Sequence, residues 1–383
     1  MNAGPWLPVP PGGYGGIENV VATLVPELRA RGARVVLCAA PGSTLEADEL
    51  VETLPAPMFE HIAGPYNQMM GIAHAHMQHV VRRLREGGVD VVHDHLEVVG
   101  ASTLAAMAPA VPPVLHTLHW DLRKHPDFYG RFDGAGRVWC NGVSELQVAR
   151  APEALRRHAL GAVPLAVDPA AIPFQAEKGS RFLVLARITE VKGQDLAAQA
   201  CREGRWALDI AGPVAGAPDP AALEAGLADP RSSLHRNADV RFYLDRVRPL
   251  EDGEIAWVGS LTGPEKLAVL GRARALLTPI RWDEPGGTAV VEALACGTPV
   301  VGMRRGALPM LVEHGVTGFL ADDPAELPGL LDRVGELDPA ACRRAAEERF
   351  SAGAMAERYL ELYARAAELA AAADAVSTPA RPG

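Results

Sequence analysis

Short apolar runs alternate along this chain with longer stretches of helical periodicity. That alternation predicts an α/β protein built on largely parallel sheets. In the first half, residues 34–39 (R-V-V-L-C-A), 89–93 (V-D-V-V-H), 113–116 and 137–140 read as strands. Ile17, Val20, Val21, Leu24 and Leu28 fall at offsets of three, four, seven and eleven, a helical stripe that Gly32 closes. The pattern restarts in the second half. Residues 181–186, 206–211, 255–258, 275–279 and 299–302 read as strands, with helices between them at 194–203 and 264–274.

The restart predicts two Rossmann-like domains facing each other across a cleft, with ligands at the carboxyl ends of the strands. The join falls in 164–174, which holds three prolines in eleven residues. We therefore expect an N-terminal Rossmann-like domain over 1–165 and a C-terminal one over 166–350. A helix over 351–372 and a disordered tail over 373–383 follow. The start of the first domain breaks the pattern. Only M-N-A-G-P-W-L-P-V-P-P precedes Gly12, and Pro5, Pro8, Pro10 and Pro11 cannot donate to a central strand's ladder. The expectation is that the first strand is missing, or that the true start lies upstream.

Composition narrows the function classes. The net charge of −10 argues against nucleic acid as a main partner, and 5% aromatic residues against a base-stacking platform. Cys38, Cys140, Cys201, Cys296 and Cys342 lie far apart and form no C-x-x-C pair. That fits buried thiols in a reducing compartment better than disulfides or structural zinc. No run of 18 apolar residues suggests a transmembrane helix, and the opening residues do not resemble a signal peptide. A cytoplasmic protein is expected.

The richest segment is E-P-G-G-T-A-V-V-E-A-L-A-C-G-T-P-V-V-G, from Glu284. Glu292 is the one polar side chain within 289–296, on a helix apolar all round and therefore buried. Such a carboxylate needs a hydrogen-bonding partner. A neighbouring loop could supply it, or a ligand could. Gly286 and Gly287 let a backbone approach a ligand, Thr288 or a glycine can cap the helix, and the helix N-terminus is an anion site. Ribose at Glu292, diphosphate at the helix start and sugar at Glu284 is the order of a nucleotide sugar. Arg187 and Lys192, in A-R-I-T-E-V-K-G, could neutralise a diphosphate. They could equally be surface cations, Lys192 pairing with Glu190. Gly15 and Gly16, in G-G-Y-G-G-I-E, open a helix without dinucleotide-binding spacing. Among the histidines, His119 is placed in the cleft. His93 and His95 would share a strand face, without a third zinc ligand at suitable spacing. Ser144 and Glu145 follow a strand and cap a helix. No G-x-S-x-G elbow or Walker A sequence occurs.

Taken in order, G-G-Y-G-G-I-E, D-V-V-H-D-H, T-L-H-W-D, V-S-E, A-R-I-T-E-V-K-G and the Glu284 segment resemble the retaining family-4 glycosyltransferases of GT-B fold. The likeness runs from residue 12 to about 365, and it looks nearest to the avilamycin-type branch of secondary metabolism. It implies a metal-independent transfer of a hexose from a nucleoside diphosphate sugar, UDP-linked, to a small or lipid-linked hydroxyl acceptor. The diphosphate sugar is a co-substrate, and no cofactor is implied. Glu292 would hold the ribose, Glu284 the donor sugar, and Arg187 and Lys192 the diphosphate. Backbone at Gly286, Gly287, Thr288 and Ala289 would touch sugar and phosphate. Gly15 and Gly16 would approach the diphosphate, and His119 the sugar or acceptor. The last helix would cross back onto the first domain.

The chain departs from the family pattern in three places. Gly286-Gly287-Thr288 replaces F-G-L, Met310 stands where glutamate is usual, and Leu165-Ala166 replaces Asn-Gly. The missing strand leaves a second expectation: a non-catalytic nucleotide-sugar-binding or scaffold protein, degenerate in its first domain. A GT-B epimerase or phosphorylase is a third, though no lysine stands out for pyridoxal phosphate.

Overall fold

The computed structural model describes residues 1–12, 15–62 and 64–377. The chain forms two compact units, Met1–Ala166 with Ala352–Gly383, and Val167–Ser351. The strands of the first are β1 (Asn2–Gly4), β2 (Val36–Ala39), β3 (Glu49–Glu52), β4 (Val92–Asp94), β5 (Val114–Leu118), β6 (Val138–Gly142) and β7 (Ala159–Ala162). They pair in parallel in the order β3-β2-β1-β4-β5-β6-β7. The second unit has β8 (Phe182–Leu185), β9 (Leu208–Ala211), β10 (Ile255–Gly259), β11 (Leu276–Thr278), β12 (Val300–Met303) and β13 (Gly318–Ala321). Their parallel order is β10-β9-β8-β11-β12-β13. Two Rossmann-like sheets are therefore present.

The expectation of a missing first strand is corrected. β1 lies in the middle of its sheet, with Asn2 opposite Cys38 of β2 and Asp94 of β4. Cys38 N donates to Met1 O at 2.9 Å and His95 N to Asn2 O at 3.1 Å. All four prolines come after Gly4, so none removes a ladder donor. β1 is only three residues long, and its buried side chain at position 2 is polar. A search for apolar runs passes over it.

Hydrogen bonding compensates for that polarity. Asn2 Nδ2 donates to Asp94 Oδ1 at 2.6 Å, and Asn2 Oδ1 accepts from His76 Nε2 at 2.6 Å. Burial lowers the His76 pKa to about 4, so the ring is neutral, and its Nδ1 lies 2.5 Å from Thr53 Oγ1. Asp94 Oδ2 accepts from His116 Nδ1 at 2.6 Å. A line of polar groups thus crosses β1, β4 and β5, each bonded to the next.

Apolar residues cover both faces of this sheet. Leu37 and Leu115 join one buried cluster, while their neighbours Cys38 and Val114 join another, as strand alternation requires. Met355, Ala356 and Tyr359 of the last helix complete the first cluster. Tyr363 OH on that helix lies 2.7 Å from His93 Nδ1. The helix runs Ala352–Ser377, so the expectation of disorder from 373 is corrected as far as 377. Its alanine-rich sequence keeps helix propensity through that point. Residues 378–383 lie outside the described residues. All five cysteines are buried and free. Among the described residues no helix is long and apolar enough to cross a membrane.

Replacing Asn2 by leucine keeps the branching of the side chain but adds bulk and removes the bonds to Asp94 and His76. The expected loss, read from the urea unfolding of the first unit, is on the order of 2–3 kcal/mol.

Candidate functional site

The second unit gathers its charged groups where the strands β8 and β11 end. After β8 the chain runs through Arg187 to a short 3-10 turn, Glu190–Lys192, and into the helix Gln194–Gly204. Gly193 joins turn to helix at φ +73°, and a Cβ there would lie 2.0 Å from Pro279 O. Only glycine lets the segment after β11 pack this closely.

One buried carboxylate ties these segments together. Asp195 is fully buried, and its two oxygens accept from Arg281 Nη1 and Nη2 at 2.7 and 2.8 Å. Arg246 Nη2 adds a third bond at 3.2 Å. Arg281 Nη1 also donates to Glu190 O, and Arg281 N to Val191 O, both at 2.8 Å. The bidentate fork fixes the start of the 281–287 loop against the Glu190–Lys192 turn. Gly306 secures the other side of that loop. At φ +56° its missing Cβ would sit 2.4 Å from the Glu284 backbone, and Ala307 N donates to Glu284 O at 2.8 Å.

So held, Glu284 meets Lys192. Glu284 Oε2 forms an ion pair with Lys192 Nζ and accepts from Trp282 Nε1 at 3.1 Å. The Lys192 ammonium also lies 5.4 Å from the centre of the Trp282 ring. Lys192 thus pairs with Glu284 rather than with the Glu190 beside it. The helix Thr288–Ala295 follows, with Gly287 as its N-cap and no side-chain cap. Its first N–H groups have no intrahelical acceptor. Val290, Val291, Ala293, Leu294 and Ala295 are buried as their pattern predicts. Glu292, one turn in, accepts from Lys266 Nζ at 2.6 Å. Lys266 lies on the helix Gly263–Arg272, and the sequence reading did not single it out. Glu292 is 15% exposed and Lys266 26%, so a ligand can reach both. Gly286, Gly287 and Ala289 are half-buried and Thr288 exposed. Arg187 is exposed, and its guanidinium enters no ion pair among the described residues.

The other candidates lie in the first unit. Gly15 precedes the helix Gly16–Ala30 and accepts from Asn19 N at 3.1 Å. Gly13 and Tyr14, in the same turn, lie outside the described residues. His119 follows β5, with its Nε2 2.8 Å from His95 Nδ1. Burial, aided by nearby His116, lowers its pKa to about 3, so the ring is neutral at ordinary pH. β4 ends at Asp94, so His95 lies beyond the strand, where its ring packs 4.0 Å from that of His93. Ser144 does cap a helix, its Oγ accepting from Gln147 N at 3.4 Å.

These features define the GT-B class, two parallel-sheet Rossmann-like units with a charged helix-start site in the second. Residues 14–152 match the family described as Glycosyltransferase Family 4, and residues 171–348 match Glycosyl transferases group 1. The chain belongs to these GT-B glycosyltransferase families. One curated relative is the D-inositol 3-phosphate glycosyltransferase of Mycolicibacterium smegmatis, 35% identical over 147 residues. That match spans 37% of this chain and 32% of the relative, about a third of its length. The enzyme of the same name from Acidothermus cellulolyticus is 26% identical over 84% of this chain and 69% of its own. Among solved structures, AviGT4, a glycosyltransferase involved in avilamycin A biosynthesis, shares 28% identity. It covers 96% of this chain and 97% of its own at a TM-score of 0.62. Sucrose-phosphate synthase from Thermosynechococcus elongatus shares the fold, with a TM-score of 0.67, 18% identity and coverage of 92% and 94%.

Replacing Asp195 by alanine would strand Arg281 and Arg246 beside a buried hole. The expected loss of second-unit stability is about 3–5 kcal/mol by urea unfolding. Hydrogen exchange should rise over 281–287.

Proposed function

We propose that the protein is a retaining glycosyltransferase that moves a hexose from a UDP-sugar to a hydroxyl acceptor without a metal ion. The observation that carries this reading is the pair of lysine–glutamate contacts, Lys192–Glu284 and Lys266–Glu292, around the uncapped start of the Thr288–Ala295 helix. Each carboxylate already holds a cation, and a nucleotide sugar offers all four groups better-matched partners. The diphosphate takes the lysines, and Arg187 and the free helix N–H groups add to its binding. Glu292 is released to accept from the ribose hydroxyls, and Glu284 from the sugar. Trp282 Nε1 keeps the Glu284 carboxylate oriented during that exchange.

Chemistry follows from the same placement. The bond from the anomeric carbon to the diphosphate oxygen breaks while the acceptor oxygen bonds on the same face. The acceptor proton passes to the departing diphosphate, and the cations stabilise the charge that develops there. His119, a neutral ring, is assigned to the acceptor. UDP is assigned at the level of shared fold. Alr3699/HepE of Anabaena, solved with UDP and glucose, has a TM-score of 0.62 at 16% identity, over 92% of this chain and 97% of its own. A role in secondary metabolism draws on the likeness to AviGT4. The scaffold reading rested on a missing first strand, and β1 removes that ground.

Glu292→Ala should weaken UDP and uridine alike by about 1–3 kcal/mol in calorimetry, because both carry the ribose. Unchanged affinity for both would refute the ribose role. Glu284→Gln should not weaken UDP binding, because Lys192 loses a competing partner, while turnover of UDP-sugar falls at least tenfold. Here the lost contact is to the sugar and not to the nucleotide.

A further inference from the structure

The first unit holds a cavity of about 250 Å³ at the carboxyl ends of β1, β4 and β5. Trp6, Ile17, Met69, Met70 and Trp120 are among the apolar side chains that line most of it, so its chemistry is largely apolar and aromatic. Glu97 is the acidic side chain in the same wall, beside His95, Lys124 and His125. It opens the helix Glu97–Ala106 at φ +30°, a conformation that non-glycine residues rarely adopt. Strain of this kind persists where the surroundings enforce it, and it clusters at ligand sites.

The Glu97 side chain is 22% exposed, but its Oε1 is shut off from solvent and has no hydrogen-bond partner among the described residues. His125 Nε2 is 3.7 Å away, beyond hydrogen-bond reach. Burial raises the carboxyl's pKa, partly offset by His125 and Lys124. His116, which also acts on Glu97, has its Nδ1 on Asp94 and its buried Nε2 unpartnered. A carboxyl oxygen in apolar surroundings without a donor is a costly arrangement. The other carboxyl oxygen, Oε2, is not shut off in this way, and it can accept from a hydroxyl on an otherwise apolar molecule.

We infer that this cavity binds the ring system of an uncharged, hydroxylated apolar molecule, with the hydroxyl donating to Glu97. The inference rests on the glycosyltransferase reading only in naming that molecule the acceptor. A phosphorylated acceptor does not suit the cavity. Glu97 would repel it, and the one lysine in the wall, Lys124, lies over the Trp120 ring at 4.2 Å. This chain therefore differs in acceptor chemistry from its relatives named for an inositol 3-phosphate.

The test uses the full chain and three probes of one shape: 2-naphthol, 2-methoxynaphthalene and 2-naphthyl phosphate, with UDP titrated in parallel. Wild type should bind 2-naphthol at least about tenfold more tightly than the ether, the discrimination of one buried hydrogen bond to a carboxyl. The phosphate should bind more weakly still. Glu97→Leu should bring 2-naphthol to the level of the ether, while Glu97→Gln, which keeps an acceptor oxygen, should lose under about threefold. Met69→Trp, which fills the cavity, should weaken 2-naphthol and the ether together. Equal or tighter binding of the phosphate, or an unchanged affinity in Met69→Trp, would overturn the inference. UDP binding without 2-naphthol binding refutes the cavity and leaves the glycosyltransferase reading standing. Binding of 2-naphthol without UDP refutes that reading and leaves the cavity.

Discussion

The second unit's site depends on the buried carboxylate of Asp195. A fully buried charge must be paired, and removing one partner of such a pair is strongly destabilising. Arg281 answers it with a two-pronged bond at 2.7 and 2.8 Å. The pair joins the first turn of one helix to the loop that leads to Glu284. Because its geometry is planar and bidentate, it sets direction as well as distance. Gly193 and Gly306 then let backbone segments close on that loop from two sides. The position of Glu284 therefore follows from buried contacts that no ligand needs to touch.

The two lysine–glutamate pairs lie downstream of that scaffold. Half-buried ion pairs add little net stability, because desolvation offsets most of the attraction. Their worth here lies in keeping four charged groups placed and neutralised until a ligand exchanges partners with them. A binding site made of pre-paired opposite charges needs little rearrangement when an anion and a set of hydroxyls arrive together. The first unit uses buried polarity in another way. Asn2, His76, Asp94 and His116 Nδ1 bond to one another across three strands, so polarity at the centre of the sheet becomes part of the core.

Much of this could be read from the sequence wherever burial and periodicity coincide. The apolar helix around Glu292, most inner strands and the join near residue 166 all leave strong patterns. What escaped was short, polar or long-range. β1 has three residues and a buried asparagine, so it carries no apolar run. β3 (E-L-V-E) and β7 (A-L-G-A) are edge strands, and four residues of mixed polarity do not separate a strand from a loop. The Lys266–Glu292 and Asp195–Arg281 partners stand 26 and 86 positions apart, on elements whose packing a local pattern cannot foresee. The positive φ of Glu97 is a tertiary constraint, and residue type alone argues against it.

The central claim is that the donor displaces each glutamate from its lysine. A crystal structure of the chain with UDP bound tests it most directly. The account predicts Lys192 Nζ about 2.8 Å from a diphosphate oxygen, with its contact to Glu284 opened and Glu292 on the ribose hydroxyls. UDP bound elsewhere, or bound with the Lys192–Glu284 and Lys266–Glu292 contacts both intact, would contradict it.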